Sequence, residues 1–102
     1  MVLYELRILC DSKTKGEIER EIDKSDRDFE VNWYKKFTSE SMALKETKII
    51  LDRVSTLNVP NEDITLWLFY AYENECNLEF DTLFLELISE LGISFCISCW
   101  QS

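Results

Sequence analysis

The chain has 102 residues, of which 46% are apolar and 13% aromatic, so it has room for one packed domain, residues 1–102, and is not a disordered acidic tail. Its formal charge is −9, and every lysine and arginine lies at or before Arg53, whereas residues 54–102 carry eight acids and no base. Because a protein this acidic repels phosphate groups, direct binding of nucleic acid is not expected, and a basic protein partner is.

The first third of the chain predicts a strand, a short helix and a second strand. Apolar residues alternate with polar ones over residues 2–10, which indicates a strand with one buried face. Asp11 or Ser12 can cap the helix that follows. After a polar turn at residues 23–28, the alternation over residues 29–34 predicts the second strand.

The rest of the chain predicts two more helices around a long strand. Capping oxygens at residues 38–41 begin a helix that ends near Leu57. Residues 64–72 are an almost unbroken apolar and aromatic run, typical of a central strand covered on both faces. Asp81 is suited to cap a third helix, which has an apolar side and ends at Gly92.

The last strand, residues 93–100, completes the order β-α-β-α-β-α-β. This order predicts an α+β two-layer sandwich, in which a four-stranded ferredoxin-like sheet carries helices on one face. The second and fourth strands are then the edges, and the fourth has no charged residue. Since an uncharged edge is poorly protected against pairing with another chain, a homodimer through this C-terminal edge strand is a further prediction.

The sequence has neither a secretory leader pattern nor an apolar run of membrane-spanning length, which predicts a cytoplasmic protein without membrane contact. The four cysteines are then expected to be free thiols that pack as small core residues. Cys96 and Cys99 match a C-x-x-C spacing, but on a strand they point to opposite faces. This geometry argues against a shared metal ion or a disulfide.

The residues that could carry function are carboxylates and tyrosines in the second half. The chain has no histidine and no phosphate-binding loop, so we expect neither enzymatic activity nor a cofactor. Aromatic rings beside carboxylates can anchor a basic partner. The predicted partner-binding residues are Glu62, Asp63, Tyr70, Tyr72, Glu73, Glu75, Glu79 and Asp81. The alternative is that the aromatic residues belong to the core and the acids only solvate the surface.

Segments at both ends of the chain resemble an uncharacterised bacterial domain family. The strand Tyr4-Glu-Leu-Arg-Ile8 is similar to the opening strand of that family. The segment from Leu78 through a Leu-Gly-Ile turn to Ile97 is similar to its closing helix and strand. The resemblance also covers the middle helix at residues 43–57.

In size, acidity and lack of catalytic residues, the chain also resembles the immunity proteins of bacterial toxin systems, including contact-dependent growth inhibition. This resemblance implies a small protein that binds a cognate toxin domain, frequently a basic nuclease, and blocks it by occlusion. We therefore predict an acidic antitoxin-like binding module. The alternatives are an inhibitor that mimics nucleic acid, such as a phage protein against host defence, and a small-ligand-binding regulatory domain with an apolar pocket.

Overall fold

The computed structural model describes residues 2–74 and 77–101, which form one four-stranded sheet and three α-helices. The elements in chain order are β1 (Val2–Ile8), α1 (Ser12–Glu21), β2 (Trp33–Phe37), α2 (Glu40–Val54), β3 (Ile64–Tyr72), α3 (Thr82–Leu91) and β4 (Ser94–Gln101). The predicted α+β fold with a four-stranded sheet is therefore confirmed.

The sheet is mixed, with the strand order β2-β1-β3-β4. β1 pairs antiparallel with both β2 and β3, whereas β3 and β4 are parallel. The predicted edge strands, β2 and β4, are confirmed, but the ferredoxin-like topology is not. The reason is the connection after α1, because residues 22–32 carry the chain back to the end of β1, where Trp33 pairs with Ile8.

One face of the sheet carries the core. Side chains alternate along a strand, so residues two apart point to the same face and pack against the same layer. The buried strand residues on this face are Tyr4, Leu6, Ile8, Trp33, Phe37, Ile64, Leu66 and Leu68, and the helices contribute Ile18, Ala43, Ile50, Val54 and Phe84. Burial of each large apolar side chain contributes about 1.5–3 kcal/mol, which holds the helical layer on the sheet.

The second strand begins later than predicted. Residues 29–32 form turns and bends, and Phe29 is fully exposed. Pairing with β1 begins at Trp33, which lies opposite Ile8, the last residue of β1. Residues before Trp33 therefore have no strand beside them, whatever their pattern of alternation.

Local signals located the other elements. β3 spans the predicted residues 64–72 and is central in the sheet, and Gly92 ends α3 in the left-handed conformation with φ of 68°. β3 was predicted to be covered on both faces, but its residues in the hydrophobic core, Ile64, Leu66 and Leu68, all lie on one face, and Trp67 points to the other. Cys96 pairs with Trp67 and Cys99 pairs with Tyr70. Because Trp67 and Tyr70 point to different faces of the sheet, the two cysteines do so as well.

The face of the sheet opposite the core holds a buried carboxylate. Glu5 is 1% exposed, and its oxygens accept hydrogen bonds from Arg7 Nε at 2.7 Å and from Arg27 Nη2 at 3.0 and 3.1 Å. The Arg27 guanidinium lies 4.3 Å from the ring centroid of Tyr34, and that of Arg7 lies 4.7 Å from the ring centroid of Trp67. Arg27 belongs to the loop between α1 and β2, so this cluster attaches the loop to the sheet.

The same loop covers the outer edge of β2. The Asp26 N–H donates to the carbonyl of Tyr34 at 2.8 Å, and the Tyr34 N–H donates to Ser25 Oγ at 2.9 Å. The Lys36 N–H donates to the carboxylate of Asp26 at 2.6 Å. These bonds satisfy backbone groups that an edge strand otherwise leaves available for pairing.

Loss of both arginines should destabilise the fold, because Glu5 would remain buried without a counter-ion. We expect Arg7→Met/Arg27→Met to lower the free energy of unfolding by about 3–5 kcal/mol. Addition of Glu5→Leu should recover most of that loss, since removal of a whole buried ion cluster is tolerated better than removal of one side. Urea unfolding followed by tryptophan fluorescence measures both effects. A triple variant no more stable than the double variant would assign the loss to arginine packing.

Candidate functional site

β2 and β3 are both antiparallel to β1, and β4 is parallel to β3, so these three strands run in the same direction. Their carboxyl ends therefore lie at one end of the sheet. The first turns of α2 and α3 begin at this same end, directly after the connections from β2 and β3. We call this region the carboxyl end of the sheet. In open α/β sheets, ligands bind in the crevice outside the carboxyl ends of the strands.

Among the described residues, four exposed carboxylates lie at the carboxyl end. Glu73, Glu79 and Asp81 belong to the connection from β3 to α3, and Glu40 is in the first turn of α2. Asp81 caps α3, and its carboxylate accepts a hydrogen bond from the Phe84 N–H at 2.7 Å. The free N–H groups and the dipole at a helix N-terminus stabilise negative charge there.

A shallow cavity of about 340 Å³ opens among these groups. Its lining residues are Val2, Tyr4, Thr38, Ser39, Glu40, Leu68, Leu78, Glu79 and Phe80. The Tyr4 hydroxyl lies close enough to the Glu40 carboxylate to interact with it. Burial, and then the negative charge of Glu40, raises the pKa of Tyr4 above its ordinary value of 10.0, so the phenol stays protonated at neutral pH. The cavity thus has an apolar floor and an acidic rim.

Tyr70 and Tyr72 are brought to the same end of the molecule. Both are half-buried, and their rings stack with centroids 6.2 Å apart. They lie on the helical face of β3, two and four residues beyond the buried Leu68. Glu73 follows Tyr72 directly in the chain and is exposed.

The structure does not bring all of the predicted residues together. Glu62 and Asp63 form part of the 3-10 turn Asn61–Asp63 that precedes β3, at the opposite end of the strand from Glu73. At the usual rise per residue, the nine residues of β3 separate them by roughly 30 Å. Glu75 lies outside the described residues. One surface can therefore combine Tyr70, Tyr72, Glu73, Glu79 and Asp81, and Glu62 and Asp63 would belong to another.

The charge segregation of the sequence persists in the fold. In the part of the chain that the structure describes, the ion pairs within 4.0 Å are Arg7–Glu5, Arg27–Glu5, Lys24–Asp28 and Lys35–Asp23. All of them join residues of the first half. Lys15 Nζ donates instead to backbone carbonyls of the loop before β2, and Arg53 donates to the carbonyl of Glu21. The described carboxylates of the second half are left without a close cation.

Sequence reasoning missed a groove between α2 and α3. Its volume is about 460 Å³, and its lining residues are Ser41, Leu44, Lys45, Lys48, Leu51, Asp52, Leu87, Glu90 and Leu91. Leu83, in the first turn of α3, is 63% exposed. The sequence signal was a second set of leucines at helical spacing in α2 and in α3. The apolar surface of these leucines is more than one face of the sheet can cover.

An aromatic cluster on the uncovered sheet face was also missed. Trp67 and Phe69 stack with ring centroids 5.8 Å apart, and Trp100 meets Phe69 edge-on at 6.4 Å. Alternation was the available signal, because it places these residues on the face opposite to Tyr70 and Tyr72. The aromatic residues of β3 therefore contribute to two surfaces, one on each face of the sheet.

Comparisons with models of protein families, with characterised proteins and with solved structures found no match to this chain. None of the described helices combines the length and the apolar character needed to cross a lipid bilayer. Within residues 2–74 and 77–101, no group of three or more cysteine or carboxylate side chains is placed to hold a metal ion. Function is therefore inferred from the charge, burial and geometry of the chain itself.

Replacement of Asp81 should separate its two roles at the start of α3. We expect Asp81→Ala to lower the free energy of unfolding by about 1 kcal/mol, because the Phe84 N–H loses its acceptor. Asp81→Asn should cost much less, since asparagine caps helices as well as aspartate does. Chemical denaturation measures both changes. Equal losses in the two variants would mean that the negative charge, and not the hydrogen bond, is what stabilises the helix start.

The raised pKa of Tyr4 predicts a loss of stability at alkaline pH. The neutral phenol is favoured in the folded state, so its contribution is complete below the unfolded-state value near 10.0 and is lost as pH rises through the folded pKa. Tyr4→Phe removes the ionisable group. Its free energy of unfolding should fall less than that of the natural protein between neutral pH and pH values above about 10. Identical pH profiles for the two proteins would contradict this assignment.

Proposed function

We propose that the protein is an acidic protein-binding module of the immunity type, which binds a cognate basic toxin domain and neutralises it by occlusion. The supporting observation is that the exposed carboxylates Glu73, Glu79 and Asp81 have no cation within 4.0 Å among the described residues. Unpaired carboxylates on a protein of charge −9 attract a basic partner and speed its association.

The cavity at the carboxyl end supplies a binding mode for such a partner. A lysine or arginine has an apolar stem and a charged head. The stem can pack on Leu68 and Phe80 at the cavity floor, while the head meets the carboxylates of Glu40 and Glu79 at its rim. Tyr70 and Tyr72 lie at the same end, and tyrosines are frequent anchors of protein interfaces.

Occlusion follows if the captured lysines or arginines are those that bind phosphates in a nuclease. Carboxylates then occupy the positions of substrate phosphates, and the toxin cannot bind its substrate. This mode of action requires no catalytic residue and no cofactor, and the cytoplasm is the location that we propose for it. The same chemistry would serve an inhibitor that mimics nucleic acid, which differs in competing directly with DNA or RNA.

A second candidate function rests on the groove between α2 and α3. Four leucines line it, and Lys45 and Lys48 stand beside it, as a site for a small amphipathic anion requires. Asp52 and Glu90 also line the groove and leave it without net charge. Since the groove offers no charge preference, we favour the partner-binding function.

Charge reversal at the carboxyl end should slow association with the basic partner. The test variant is Glu73→Lys/Glu79→Lys/Asp81→Asn, in which asparagine keeps the cap of α3. We expect its association rate to fall more than about tenfold at low salt, because electrostatic attraction raises association rates by factors of this order or more. The partner is captured from lysate of the source organism with tagged protein at low salt, and stopped-flow mixing then measures the rates.

A matched control carries the same change in net charge in the first half. Glu21→Lys/Glu30→Lys/Asp52→Asn alters exposed side chains that lie away from the carboxyl end, and it should associate much faster than the test variant. The captured partner should arrest growth when expressed alone, and co-expression of the natural protein or the control should restore growth. Equal association rates for test variant and control, or capture of no basic protein at low salt, would refute the proposed function.

A further inference from the structure

The two edges of the sheet differ in how they are protected. The outer edge of β2 is hydrogen-bonded to Ser25 and Asp26 of the preceding loop, and the strand carries Lys35 and Lys36. β4 lies at the other edge and has no charged residue between Ser94 and Gln101. Among the described residues, its only strand neighbour is β3. Natural proteins usually block such an edge with charges, bulges or a covering segment, as β2 does here.

Large apolar side chains are exposed around the β4 edge. Ile97 is 43% exposed on the helical face of the strand, and Trp100 is 41% exposed on the opposite face. Leu85 of α3 is 52% exposed. A helix turns about 100° per residue, so Leu85 lies on the side of α3 opposite to Leu87, which faces α2 across the groove. Leu85 therefore points away from α2, over the side of the sheet that ends in β4.

We propose that β4 pairs antiparallel with β4 of a second copy of this chain, so that two sheets join into one sheet of eight strands around a two-fold axis. This inference does not depend on the proposed function, since the strand pairing uses the backbone of β4 and not the carboxylates at the carboxyl end. The pairing gives each β4 a second strand neighbour, and it brings Ile97 and Leu85 of each copy towards the other copy.

The sequence of β4 is compatible with itself in such a pair. A two-fold axis perpendicular to the sheet keeps the helices of both copies on one side, so residues that point to the same face must lie opposite each other. With Ile97 opposite its own copy, Phe95 lies opposite Cys99, Cys96 opposite Ser98, and Ser94 opposite Trp100. No like charges meet. The same pairing at β2 would place lysines of the two copies close together, which is unfavourable.

Salt should affect this dimer in the direction opposite to the proposed toxin complex. Each chain carries a formal charge of −9, so the two copies repel each other and screening by salt favours their association. A complex between an acidic and a basic protein is weakened by the same screening. If only one of these two salt effects is observed, the inference that predicts the missing effect has failed.

The test is the mass of the natural protein by sedimentation over a wide concentration range, at low and high salt. We expect twice the chain mass of 12.1 kDa, with a larger dimer fraction at high salt. Leu85→Lys/Ile97→Lys should weaken self-association more than about tenfold, because the lysines at position 97 meet each other across the axis and both changes remove apolar side chains from the contact. The matched control, Met42→Lys/Leu83→Lys, adds the same charge at exposed apolar residues that point elsewhere and should remain dimeric.

Hydrogen exchange of the natural protein keeps the inference testable if a variant fails to fold. Amide protection at residues 94–98 should rise with protein concentration, while protection in β2 should not change. A protein that stays at 12.1 kDa under all conditions would overturn the proposal. So would a dimer that survives Leu85→Lys/Ile97→Lys, or protection in β4 that is independent of concentration.

Discussion

The buried carboxylate of Glu5 is the interaction on which the other features depend. It accepts hydrogen bonds from both Arg7 and Arg27, and Arg27 attaches the loop before β2 to the sheet. That loop in turn covers the outer edge of β2 through Ser25 and Asp26. A buried carboxylate is tolerated only when it is paired, so the position of the loop is strongly constrained. One edge of the sheet is thereby covered, whereas β4, at the other edge, has β3 as its only strand neighbour among the described residues.

The same cluster explains why the charge segregation of the sequence persists in three dimensions. Two arginines are held by Glu5, and the described lysine ion pairs also stay within the first half. Among the described residues, the carboxylates at the carboxyl end of the sheet, such as Glu73 and Glu79, then have no cation within 4.0 Å. Their field is directed outward, where a basic partner can neutralise it. Charged residues of the first half thus pair with one another in the fold, whereas the carboxylates at the carboxyl end carry the proposed binding function.

Local patterns predicted the elements well and their arrangement less well. Asp81 and Gly92 were recognisable because capping depends on neighbouring residues only. The direction of β2 was not, since it depends on where a loop returns the chain and on Ile8 being the last residue of β1. Glu5 alternates with apolar residues and reads as solvent-facing, and its burial follows from a contact with Arg27, 22 residues away. Tyr70, Tyr72 and Glu73 lie near one another because they are close in sequence at the end of β3, whereas the cavity beside Tyr4 follows only from the fold.

The central claim is that the unpaired carboxylates at the carboxyl end of the sheet bind a basic protein. The most direct test is the association rate with the captured partner, measured as a function of ionic strength. The account predicts a rate that falls steeply as salt screens the carboxylates, and a much weaker salt dependence once Glu73 and Glu79 are reversed to lysine. A rate that is independent of salt in the natural protein would contradict it, and the acids would then serve only to keep the surface solvated.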